Sequence, residues 1–170
     1  MSTFDAFIEI PSKSRVKYEY DFKYKKIRFD RLLYSSLQYP TEYGFIPNTL
    51  AEDGDPLDVL VLTAEPLIPG VLIELKAIGV MYMVDGGDND DKIVCVPVDD
   101  PQFNNFEDIN DVNDHLKKEI EEFFKTYKNL EGKRVETKGF ADRRTAEQMV
   151  EKCKVRYNNL PADKKWECEL

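Results

Sequence analysis

Histidine occurs once in this chain of 170 residues, at His115, and cysteine only three times, at Cys95, Cys153 and Cys168. A single imidazole cannot anchor a His-rich metal site, and no Gly-rich Walker loop, nucleophile elbow or H-E-x-x-H segment is present. The cysteines are odd in number, widely spaced and never arranged as C-x-x-C. That argues against a disulfide framework or a zinc site and fits a reduced, cytoplasmic setting. No apolar run approaches membrane-spanning length, and Met1 to Ile10 carries Asp5 and Glu9 without a basic leader region, so neither anchoring nor export is expected. Positive charge is scarce: 24 Lys and Arg face 33 Asp and Glu, a net charge of −9. A general nucleic-acid binder needs a positive field for phosphates, so that class starts at a disadvantage. What remains for chemistry is a vocabulary of Asp, Glu, Lys, Arg and Tyr.

Asp53-Gly54-Asp55-Pro56-Leu57-Asp58 concentrates that vocabulary, packing three carboxylates into six residues that run into the apolar strand Val59-Leu60-Val61-Leu62. Asp, Gly and Pro are ordinary turn residues, so an acidic surface turn is one reading. The other is a metal site. Gly54 permits the bend, Pro56 fixes φ, the strand is a rigid mount, and hard cations such as Mg²⁺ or Mn²⁺ prefer oxygen ligands. Asp85-Gly86-Gly87-Asp88-Asn89-Asp90-Asp91-Lys92 is a second acidic stretch, readable on its own as a solvated hairpin connection. Neither segment has EF-hand calcium-loop spacing.

The length suits one domain, 1–170, with no repeat and no linker. Strands are expected at 7–10, 16–22, 27–33, 59–62, 71–83 and 93–98, β-branched or aromatic runs punctuated by Pro and Gly. A helix over 113–130 places Leu116, Ile120, Phe123, Phe124 and Tyr127 on one stripe, with Asn113 as N-cap and Gly132 as stop. Ala146, Met149, Val150, Cys153 and Tyr157 form a second stripe. Strands first and helices last predict an α+β domain whose strands close into a small barrel flanked by two main helices. The tail 158–170 is polar and expected to be mobile, with Trp166 as its docking residue.

Alternation in Val16 to Phe22 sends Lys17, Glu19 and Asp21 to the face opposite Val16, Tyr18, Tyr20 and Phe22. Glu9 likewise faces away from Ile8 and Ile10. Arg31 breaks the rule, since alternation from Ile27 and Phe29 turns it inward; either the strand bends or a polar cavity receives the cation. Tyr127 and Lys128 read as core and surface unless the helix end borders that cavity.

Taken together, Asp53 to Leu60 resembles the D-G-D-P-x-D-V signature of the family I soluble inorganic pyrophosphatases, and the likeness runs from Ile8-Glu9-Ile10-Pro11 to Tyr127-Lys128. The resemblance implies an OB-like five-stranded barrel that hydrolyses pyrophosphate with several Mg²⁺ ions, Mn²⁺ or Zn²⁺ being substitutes. By position it implies Glu9, Asp53, Asp58, Asp85 and Asp90 as metal-holding residues. Asp55 would be the base that activates water, and Glu19 a shaper of the metal network. Lys17, Arg31, Lys92, Tyr127 and Lys128 would contact phosphate. Tyr43 would orient it from Tyr39-Pro40-Thr41-Glu42-Tyr43-Gly44, which is similar to the family's Y-P-x-N-Y-G. Glu42 stands where Asn is usual, and Gly86 where an acidic residue is frequent. A homo-oligomer, hexamer favoured, is implied as well. The rivals are an OB-like single-strand nucleic-acid module using Tyr18, Tyr20, Phe22 and Phe29, and a calcium-binding structural protein.

Overall fold

The chain's architecture comes from a computed structural model that describes residues 2–170. Its strands are β1 (Phe4–Ile10), β2 (Val16–Asp21), β3 (Lys26–Leu32), β4 (Glu42–Phe45), β5 (Asp58–Val61), β6 (Leu72–Asp85), β7 (Asp88–Asn89), β8 (Lys92–Pro97) and, after helix α1 (Asp114–Thr126), β9 (Val135–Ala141). Helix α2 (Arg143–Asn158) follows. The order β1, β4, β5, β8, β6 closes on itself because β6 also pairs with β1, so five strands form a barrel with no free edge. Only β5 and β8 run parallel. The expected α+β barrel with two flanking helices is therefore the fold the chain adopts.

Closure depends on close backbone approach. A Cβ on Gly44 would lie 2.0 Å from the Phe7 carbonyl oxygen, so the β1–β4 seam admits only glycine there. Alternation along β5 feeds two cores. Leu60 packs in the cluster that holds Ile120, Phe123 and Phe124 of α1, while Val59 and Val61 pack with Ala146, Val150 and Cys153 of α2.

Several boundaries differ from the sequence reading. β4, β7 and β9 lie outside the expected strands, because β4 and β9 mix glycine with charged residues and β7 is only the polar pair Asp88–Asn89. Helix α1 begins as expected, with the Asn113 side chain accepting a hydrogen bond from the His115 N–H at 2.8 Å. It ends at Thr126 rather than Leu130, and Gly132 (φ 71°) instead closes a short 3₁₀ turn over Asn129–Glu131. Beyond α2 a 3₁₀ turn spans Ala162–Glu167. The residue docked there is Cys168, 1 % exposed, and not Trp166, 54 % exposed. Cys95, Cys153 and Cys168 are all buried and unpaired.

Ribbon β2–β3 stands apart from the barrel as a two-stranded sheet. Lys17 pairs with Arg31 but Tyr18 with Phe29, so Asp30 is an extra residue that bulges the strand. This bend resolves the Arg31 anomaly. Its guanidinium contacts Asp30 and lies 3.0 Å from Glu131, and Phe29 on the same strand is exposed.

Candidate active site

The motif Asp53 to Asp58 is held as a turn by its own backbone. The Asp55 N–H donates to the Asp53 carboxylate at 3.0 Å, and the Ala51 N–H donates to the Asp55 carbonyl at 2.8 Å. Gly54 sits at φ +90°, which a side chain would strain. Behind the turn, buried Thr49 accepts from the Leu57 N–H at 2.9 Å and donates to the Ile46 carbonyl at 2.6 Å. The turn is thus sewn to the barrel before Asp58 opens β5.

The second acidic segment is a tight hairpin. Gly86 (φ 59°) and Gly87 (φ 89°) make the two-residue connection, and Asp85 pairs with Asp88. The departure at Gly86 therefore has a local reason: two consecutive left-handed residues favour glycine. The other departure, Glu42, is fully buried and turns away from this region, accepting from Thr63 Oγ1 at 3.0 Å and the Leu67 N–H at 3.2 Å.

Turn, hairpin, ribbon and helix end enclose a cavity of about 430 Å³. Of the sequence-predicted residues, Glu9, Lys17, Glu19, Tyr43, Asp53, Asp55, Asp58, Asp85, Asp90, Tyr127 and Lys128 line it. Two do not. Lys92 is 1 % exposed and lies against the cavity residues from behind, its ammonium 2.6 Å from Asp58, 2.7 Å from Asp90 and 2.9 Å from the Tyr43 hydroxyl. Arg31 is held by Asp30 and Glu131 outside the lining, because the bulge re-aims its strand. Burial works against its charge, but Glu131 and Asp30 outweigh burial and hold its pKa above the usual value. Residues not singled out from sequence also line the cavity: Tyr39, Asp88 and Glu167. Asp88 shares its acidic loop and Tyr39 its aromatic segment with predicted residues, so proximity in sequence was a usable signal; Glu167 had none.

Electrostatically the cavity holds unpaid negative charge. Glu9 accepts from the Tyr20 N–H at 2.8 Å, yet burial, aided by the charges of Asp58 and Glu19, pushes its pKa up to about 8. Burial raises Asp53 to about 6, with Asp90 and Asp55 adding repulsion. Asp55 is raised by burial and then by Asp58, Glu19 and Asp90. Asp58 is raised to about 6 by burial even though Lys92 pulls the other way. Lys92 is disfavoured by burial, but Asp58 and Asp90 more than offset this and keep it charged. Burial also raises Tyr43 and Tyr127, so both remain neutral hydroxyl donors.

Carboxylates pushed upward by burial and by one another, with Lys17 and Lys128 as the only cations on the lining, form a donor set suited to hard divalent ions. Among the described residues no three such side chains form a ready-made ion cage. The Lys92 ammonium lies between Asp58 and Asp90. Mg²⁺ characteristically keeps several waters and takes one or two carboxylates, which this spread arrangement accommodates.

Comparison with known proteins agrees with this geometry. The family described as inorganic pyrophosphatase matches residues 6–158. The chain is 48% identical to the inorganic pyrophosphatase of Halalkalibacterium halodurans over 90% of this chain and 94% of that protein. It is 52% identical to the inorganic pyrophosphatase of Methanosarcina acetivorans, over 88% of this chain and 89% of that one. The crystal structure of the Thermus thermophilus inorganic pyrophosphatase superposes with a TM-score of 0.90 at 44% identity, covering 92% of each chain. A barrel carrying the D-G-D-P-x-D turn, a cavity crowded with carboxylates and a match across most of the sequence place this chain in the inorganic pyrophosphatase family.

Proposed function

We propose that this cavity hydrolyses pyrophosphate to two orthophosphates with the help of several Mg²⁺ ions. The observation that carries the reading is the convergence of Asp53, Asp55, Asp58, Asp85, Asp90, Glu9 and Glu19 with Lys17, Lys128, Tyr43 and Tyr127 on one cavity. Glu9, Asp53, Asp58, Asp85 and Asp90 would hold the ions, with Glu19 shaping their surroundings. Bound there, the ions would neutralise carboxylates and substrate together and draw the pKa of a water toward neutrality. Asp55, on the turn and in no ion pair among the described residues, takes the proton of the attacking water. Lys17 and Lys128 meet phosphate oxygens, and the neutral Tyr43 and Tyr127 hydroxyls orient them. Lys92 joins them as its hold on Asp58 and Asp90 loosens. Arg31 reaches the anion by releasing Glu131, its cross-strand partner Lys17 already facing the cavity.

An acid-lined cavity repels nucleic acid, and no observation favours the single-strand binding reading. No helix among the described residues is long and apolar enough to cross a membrane. A cytoplasmic homo-oligomer, hexamer favoured, is part of the same proposal. Phosphate release from pyrophosphate should require Mg²⁺ and be poorly supported by Ca²⁺, whose looser coordination misplaces the nucleophile. Full activity in excess chelator would refute the reading.

A further inference from the structure

The family match stops at residue 158, yet the remaining residues return to the mouth of the cavity. After Pro161 the 3₁₀ turn Ala162–Glu167 lays Lys165 over the Tyr157 ring, 5.6 Å from its centroid, and the Tyr157 hydroxyl donates to Glu169. The Asn48 N–H donates to the Cys168 carbonyl at 3.3 Å, and Cys168 is buried. These contacts fasten the segment to the end of α2 and, through Asn48, to the loop that leads into Asp53 and Asp55. Glu167 then lies on the cavity lining, and as an exposed residue it stands at the rim. The Cys168 thiol, pushed up to about 11 by burial first and then by Glu167 and Asp55, reflects both carboxylates close at hand.

We propose that the segment Pro161–Leu170 forms part of the rim of the pyrophosphate cavity, and that Glu167 is a specificity-determining charge that holds back phosphate chains longer than pyrophosphate. The inference rests on the hydrolase reading above. A diphosphate is neutralised at the carboxylate-lined floor, whereas a longer linear polyphosphate carries further negative oxygens outward, past the one rim carboxylate supplied from beyond the family-matched residues. A fixed like charge there raises the energy of the longer anion more than that of the shorter one.

Inorganic tripolyphosphate is the probe, used as a competitor of pyrophosphate hydrolysis at fixed free Mg²⁺ with the full-length protein, Glu167→Gln and Glu167→Lys. Glu167 is exposed, so neither substitution threatens the fold. The inhibition constant for tripolyphosphate should fall roughly threefold in Glu167→Gln and roughly tenfold in Glu167→Lys, the scale of one screened charge acting on a polyanion within a Debye length. The KM for pyrophosphate should fall less, kcat should not follow the series, and the differences should fade between roughly 0.05 M and roughly 0.5 M salt. Inhibition constants unchanged in both variants, or a change independent of salt, would overturn the inference while leaving the hydrolase reading intact. A wild-type protein that releases no phosphate from pyrophosphate would remove the hydrolase reading and this inference with it.

Discussion

Two lysine–aspartate pairs meet the same cavity under different physics. Lys92 is fixed on barrel strand β8, its side chain 2 % exposed, bridging Asp58 and Asp90 with the Tyr43 hydroxyl at its third side. Lys128 lies just past the end of α1, its side chain 13 % exposed, and among the described residues it pairs only with Asp85 on the hairpin. At rest the first is a crosslink among largely desolvated charges, which Asp58 and Asp90 must loosen before Lys92 can meet an anion, and the second is a contact that an incoming anion can exchange directly. The barrel wall thus supplies position and the turn-borne wall supplies reactivity. The same division separates Asp58, on β5, from Asp55, three residues earlier on a turn.

Asparagine substitutions at these two aspartates should break the comparison most sharply. Asp55→Asn should keep most tight metal binding, because Asp53 and Asp58 remain, yet lose roughly 10²- to 10⁴-fold in turnover as the general base disappears. Asp58→Asn should weaken metal binding itself, with activity recovering in part at high Mg²⁺. Calorimetric Mg²⁺ titration and rate against Mg²⁺ check both. Loss of metal affinity in Asp55→Asn equal to that in Asp58→Asn, with full recovery on added Mg²⁺, would make Asp55 a ligand and not the base.

The same division explains what the sequence revealed. Four of the five barrel strands were legible because β1, β5, β6 and β8 are apolar runs between turn residues, and the stripes of α1 and α2 are periodic, whereas β4 is too short and polar to announce itself. The turn at Asp53 was legible because its residue types dictate its geometry. Placement across elements was not. Nothing in the alternation of β3 announces that Asp30 bulges and turns Arg31 toward Glu131, since Glu131 lies a hundred residues away in a 3₁₀ turn. Nor could spacing tell that Lys92 would be spent on Asp58 and Asp90, a consequence of the parallel pairing that sets Lys92 opposite Asp58. Cys168 docks in place of Trp166 because the segment is anchored by backbone and by Glu169, which a polar sequence does not advertise.

Methionine substitutions test the two lysines directly. Lys92→Met leaves the partly exposed Asp58 and Asp90 without their cation and should cost about 2 to 3 kcal/mol of stability in chelator, measured by urea unfolding. Lys128→Met removes a partly exposed pair, so its stability loss should stay below about 1 kcal/mol while KM for pyrophosphate rises. Equal destabilisation by the two would erase the proposed distinction.

Acidity gives a third comparison, between the protein with and without divalent ions. Glu9 faces Asp58 from β5 and Glu19 and Lys17 from β2, with the Tyr20 N–H as its donor, and burial raises its pKa from 4.5 to about 8. Folded Glu9 therefore keeps a proton that the unfolded chain has released. Stability from this group is full below about 4.5 and is lost as pH rises toward 8. Asp53 and Asp58, each raised to about 6, act in the same direction over a lower window. In chelator, unfolding free energy should drop by about 2 to 4 kcal/mol between pH 5 and pH 8. Saturating Mg²⁺ should flatten that fall, because it stabilises the ionised carboxylates. A metal-free protein whose stability stays flat or rises over this range would show that burial does not hold these carboxylates protonated.

The smallest expected effect lies in the hairpin. Gly86 sits at φ +59° with nothing within 4 Å of where a Cβ would stand, so the obstacle to a side chain is the backbone conformation alone. Gly86→Ala should cost about 1 kcal/mol, the strain of an L-residue in the left-handed region. Gly86→Asn should cost less, since asparagine visits that region more readily. Because Asp85 and Asp90 flank this turn on the cavity, the strain should appear as weaker Mg²⁺ affinity as well as lower stability, with alanine worse than asparagine on both measures. Asp58, on barrel strand β5, should be least disturbed, so the amide signals of β5 should shift less than those of the hairpin. If Gly86→Ala disturbs β5 as much as the hairpin, the two walls of the cavity move as one body and the division between them fails.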